Sequence, residues 1–119
     1  MKNTLSFGSF IQNKRLMKGE TLQTIAEKIG IGIMYLSEIE NGKKTNPSPK
    51  ILAKMVDILC DSDEDIANFF DLHAKANGIV SQDLPDYIMN NDIVRATLRI
   101  ARDKPASDAD WQEMINRLK

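Results

Sequence analysis

Apolar residues recur along this chain at helical spacing, and the breaks between runs fall on residues that stop helices. Phe7, Phe10 and Ile11 share one face of a first segment, from about Ser6 to Lys18, which Gly19 ends. Thr21 is a suitable N-cap for a second helix, whose stripe is Leu22, Ile25, Ala26 and Ile29 and which Gly30 closes. A third helix is predicted from near Ile33, with Leu36 and Ile39 turned inward, ending at Asn41-Gly42. The stretch "KKTNPSP" reads as loop, because its prolines forbid a continuous helix. Pro49 suits the first turn of a fourth helix with Ile51, Leu52, Met55, Val56 and Leu59 inside. Asp61 or Ser62 caps a fifth, which carries Ile66, Phe69, Phe70 and Leu72.

After Gly78 the helical pattern continues through "LPDYIMNN", "DIVRATLRIARDK" and "SDADWQEMINRLK". The last has Ser107 as N-cap and a stripe of Trp111, Met114, Ile115 and Leu118. No internal repeat or low-complexity segment interrupts the chain. The expected fold class is all-α, with one domain over residues 1–77 and a helical C-terminal extension over 78–119.

Composition changes this picture little. A hydrophobic fraction of 42% suffices for a packed core without cross-links, and the single cysteine, Cys60, excludes an intrachain disulfide. The longest apolar runs are too short to span a membrane, and the N-terminus does not resemble a signal peptide, so a soluble, cytoplasmic protein is expected. Charge is more informative. The net value is −1, yet residues 1–61 carry nine Lys/Arg against six Asp/Glu, and residues 62–119 carry seven against eleven. The N-terminal half can therefore present a local basic face.

Two short helices joined by a tight turn must keep one face dry while the second helix projects. Ala26 is small where the helices must approach, Gly30 suits the turn, and Ile31, Leu36 and Ile39 supply the buried side. These are the parts of a helix-turn-helix. With "LQTIAEKIGI", "YLSEIENGK" and "NPS" in this order, the chain over roughly residues 7–60 resembles the Cro/C-repressor (XRE) family. The resemblance implies a five-helix DNA-binding domain, usually dimeric on a two-fold symmetric operator. It also implies an ion pair between Arg15, late in the first helix, and Glu40, before Asn-Gly.

On that reading the helix over about residues 33–41 meets the base edges, with Gly32, Ile33, Met34, Ser37 and Glu38 facing the groove. Glu38 can accept from cytosine N4 and Ser37 can bond several edges, while Ile33 and Met34 can only pack on thymine methyls. Phosphate contacts are expected from Thr21 and Leu22, through backbone N–H groups at a helix start, from Tyr35, and from Lys43, Lys44, Thr45 and Asn46 in the following loop. The family often has Gln where this chain has Leu22, so any contact there is by backbone. The partners implied are double-stranded operator DNA, a second copy of the chain and, as in some family members, a protein antagonist. No membrane, cofactor or metal is implied.

The apolar start of the third helix leaves open a rival of another class, in which the fold serves an antitoxin-like or adaptor protein and grips a protein partner. The extension carries its own large apolar residues, among them Tyr87, Ile88, Ile93, Val94, Leu98, Ile100, Trp111 and Met114, and is expected to dimerise, to bind a partner or to complete the core. Other signals carry no chemistry. "DSDED" at 61–65 lacks the Gly and the final Glu of a calcium loop, since Ile66 and Leu72 stand there. His73 is the only histidine and is expected on the side of the fifth helix. No nucleophile elbow, carboxylate pair or thiol–histidine arrangement points to an enzyme.

Overall fold

The computed structural model describes residues 5–119, and among these every regular element is helical. Five helices form a first compact unit that runs up to Asp83: α1 (Phe7–Met17), α2 (Leu22–Ile29), α3 (Ile33–Glu40), α4 (Pro49–Leu59) and α5 (Asp63–Asn77). A second unit from Leu84 holds α6 (Pro85–Met89), α7 (Asp92–Asp103) and α8 (Asp108–Leu118). No helix among the described residues is long and apolar enough to cross a membrane.

Helix starts in the first unit follow from local chemistry. The hydroxyls of Ser6, Thr21, Ser48 and Ser62 each accept from the N–H three residues on, satisfying a donor the helix cannot. At the other end of α2, Gly30 stands at φ +89°, a left-handed conformation that an L side chain resists. α1 packs against α3, α4 and α5, and α2 against α3 and α4. The shared core contains Phe10, Ile11, Ile25, Leu36, Ile39, Met55, Leu59 and Phe69. Ile51, Val56, Ile66 and Phe70, expected inside, are only half-buried at its edge.

Three features lie outside what the pattern predicted. Gly8 is buried against α3: a Cβ built there would lie 2.4 Å from the Ile39 carbonyl oxygen and 2.5 Å from that of Glu40. Only glycine lets the two backbones come this close. His73 does not lie on the side of α5. It is 1% exposed and turned into the core, its ring 5.3 Å from that of Phe7 in an edge-on arrangement. A histidine surrounded by apolar residues gives no period of its own, so the stripe of α5 appears to end at Leu72 when it runs one position further. The first unit also extends past residue 77. Ser81 is buried with its hydroxyl on the Asp71 carboxylate, and Gln82 lines a shallow groove with Pro49, Leu52 and Phe70.

The second unit is built differently. Arg95 donates to the carbonyls of Ile88 and Met89 and pairs with Asp92, which holds α6 to the start of α7. Ser107 and Asp110 form a reciprocal capping box at α8. No residue of α6, α7 or α8 is buried. Instead Ile93, Val94 and Leu98 of α7 and Trp111, Met114 and Leu118 of α8 line one open apolar groove, with Tyr87 at its margin.

Candidate nucleic-acid interface

The placement of α3 begins with an ion pair. Arg15 Nε donates to Glu40 Oε2 at 2.8 Å and Nη2 to Oε1 at 3.0 Å, while Nη1 donates to the Glu20 carbonyl at 3.0 Å. One guanidinium thus ties the end of α3, the end of α1 and the turn before α2. Both side chains are buried, and the hydrogen bond to Glu40 raises the Arg15 pKa further against the opposing cost of burial. With Leu36 and Ile39 fully buried on one side, α3 has a single face left to present.

On that face Ile33 and Met34 are 50% and 72% exposed, whereas Ser37 and Glu38 are half-buried beside them. Tyr35 is also half-buried, packed against the core. Gly32 precedes the helix in extended conformation and provides no side-chain cap, so the first-turn N–H groups of α3 stay open to solvent. α2 differs. Its Thr21 hydroxyl is engaged by the Thr24 N–H at 3.1 Å, leaving Leu22 and Gln23 as the N–H groups outside the helical ladder. Gln23 was not singled out in the sequence because its side chain lies on the polar face.

The loop after α3 is fixed by its backbone. Gly42 takes φ +87°, and the N–H groups of Lys43 and Lys44 both donate to the Glu38 carbonyl, at 2.9 and 3.2 Å. Asn41 Oδ1 accepts from the Lys43 N–H as well. With these amides committed, only the side chains of Lys43 and Lys44 are free, and both residues are exposed. Thr45 and Asn46 are held from behind. Thr45 Oγ1 lies 3.0 Å from Asn77 Oδ1, Asn77 Nδ2 donates to the Thr45 carbonyl at 2.7 Å, and Asn46 Oδ1 lies 3.2 Å from His73 Nε2.

Two short helices set by a glycine turn, the second held by a buried pair and open on one face, constitute a helix-turn-helix, and the helix-turn-helix family model matches residues 11–59. Over that segment the chain is similar to helix-turn-helix regulators of the Cro/C-repressor type. The HTH-type transcriptional regulators SinR of Bacillus subtilis (strain 168) and of Bacillus licheniformis are each 42% identical to this helix-turn-helix chain over 52 residues. The match covers 44% of this chain and 47% of each regulator, so it spans about half the length of these relatives. A solved structure described as a SinR protein/SinI protein complex aligns over 94% of this chain and 93% of that one, at 24% identity and a TM-score of 0.46.

Two other titratable groups of this unit are shifted by their surroundings. Burial, aided by the Asp65 carboxylate, pushes the Cys60 thiol up to about 11, which keeps it a thiol at neutral pH. The Asp65 carboxyl is held below its usual range by Lys14, whose ammonium lies 2.7 Å away, and by the Asp61 N–H.

Proposed function

We propose that this chain is a sequence-specific, double-stranded DNA-binding transcription regulator whose α3 enters the major groove. The observation that carries this reading is the single free face of α3, fixed by the Arg15–Glu40 pair and followed by the exposed side chains of Lys43 and Lys44. The names of its relatives support the regulatory half. Base contacts come from Gly32, Ile33, Met34, Ser37 and Glu38, with thymine methyls and groove shape supplying more of the readout than bidentate hydrogen bonds. Phosphate contacts come from Thr21, Leu22, Tyr35, Lys43, Lys44, Thr45 and Asn46. Thr21 acts through its backbone, since its hydroxyl is engaged.

A two-fold operator needs a second copy of α3 about 34 Å away, one turn of the duplex along. The open groove of α7 and α8 supports residues 84–119 as the segment that pairs two chains, or that receives a protein antagonist in place of the second copy. Occupancy of the operator then blocks transcription, which makes the regulator a cytoplasmic repressor with no cofactor and no chemical step.

The same exposed apolar residues at the start of α3 favour one rival, an antitoxin-like or adaptor protein that grips a partner with Ile33 and Met34. Salt separates the two. Binding to the promoter duplex upstream of its own gene should weaken steeply as salt rises, and Lys43→Ala with Lys44→Ala should flatten the log–log slope by about 2. Wild-type binding no tighter than to a random duplex at low salt overturns the regulator reading.

A further inference from the structure

Behind the loop that follows α3 lies a buried polar cluster that DNA would never touch. His73 and Asn77 sit one turn apart on α5, and both reach back to that loop. The imidazole is 1% exposed, and its Nδ1 has no hydrogen-bond partner among the described residues. These surroundings favour one tautomer. A bare acceptor nitrogen is less costly to bury than a bare N–H, so the proton resides on Nε2 and is donated to Asn46 Oδ1. Burial also lowers the pKa of His73 from its ordinary 6.5, which keeps the ring neutral and this tautomer in place.

The consequence falls on Asn46, which is exposed. Its carboxamide oxygen is taken from the protein side, so its NH₂ group, a double donor, is the end left for a ligand. Asn77 Nδ2 bridges the Thr45 carbonyl and the His73 carbonyl, at 2.7 and 2.9 Å, and fastens the residue before Asn46 to the same turn of α5.

We propose that His73 and Asn77 are positioning residues for phosphate recognition, orienting Asn46 so that its amide donors meet a backbone phosphate oxygen. The inference rests on the DNA-binding reading and deepens it. It adds to the interface two residues of α5 that contact no nucleic acid.

The test measures binding of the promoter duplex across a salt series, together with thermal midpoints. Asn46→Ala should weaken binding roughly tenfold and leave the salt slope unchanged, since a neutral amide releases no counterion, and should lower the midpoint only by the loss of the His73 acceptor. His73→Phe keeps the ring against Phe7 but removes the donor, and should give the same loss. Its combination with Asn46→Ala should be no worse than either alone. His73→Gln, whose amide can donate again, should restore the affinity, which filling the core alone would not do. The proposal is overturned if wild type binds, Lys43→Ala and Lys44→Ala flatten its slope, and Asn46→Ala leaves the affinity unchanged. Additive losses in the double variant overturn it too. If wild type itself binds no DNA, the regulator reading falls, and the positioning role with it.

Discussion

The two units of this chain use helices of similar length to opposite ends. In the first, up to Asp83, five helices bury a continuous core, four of them begin with a hydroxyl cap, and even glycine and histidine make interior contacts. In the second, from Leu84, only α8 has a side-chain cap, and although α7 and α8 carry apolar stripes, no residue of the three helices is buried. Trp111, Met114 and Ile115 are each 37–44% exposed, and Ile93 and Leu118 are 79% exposed. Helix formation and core formation are thus separable. A stripe of apolar residues at helical spacing guarantees a face that wants covering, and says nothing of whether the same chain supplies the cover.

The largest expected effect tests whether the first unit depends on its buried charges. Arg15→Ala strands the Glu40 carboxylate and should cost about 3–5 kcal/mol of unfolding free energy, read from denaturant melts. Arg102→Ala, in the second unit, breaks only an exposed pair with Asp103 and should cost less than about 1 kcal/mol. Equal losses would erase the distinction between the units.

Gly8→Ala comes next. The added methyl meets backbone rather than a flexible side-chain end, so α1 must retreat from α3 at a cost of about 1–3 kcal/mol in the same melts. An unchanged midpoint would mean that the first unit is loosely packed at its closest helix contact. Smaller for folding, and sharper for the comparison, is Trp111→Ala. It should leave the melting of the first unit untouched and weaken self-association about tenfold or more by sedimentation. A fall in the first unit's midpoint would show that the groove of α7 and α8 serves the core after all.

The legible part of this molecule was the short-range part. Thr21, Gly30, Pro49 and Ser107 act within a few residues of themselves, so the helix boundaries they set could be read from neighbours alone. The inward turn of Leu36 and Ile39 followed from periodicity, and the Arg15–Glu40 pair from family resemblance. What escaped depends on partners far away in sequence. Gly8 is glycine because of residues 39 and 40, and His73 is buried because of Phe7 and Asn46. Ser81, four residues past the end of α5, is buried because its hydroxyl reaches Asp71, ten residues back. On the candidate interface, Ile33 and Met34 are exposed as their spacing suggested, whereas Ser37 and Glu38, expected beside them, are half-buried, and the amides of Lys43 and Lys44 are already spent on Glu38.

One of those positions has a bearing on rates. Gly32 leaves the start of α3 without a side-chain cap, while the other four helices of the first unit each begin with a hydroxyl already in place. An incoming acceptor at α2 must share a terminus with Thr21. At α3 it displaces only water. An acceptor that reached α3 would have no internal bond to break first, so on the proposed DNA-binding reading arrival, rather than rearrangement, would set the pace of capture.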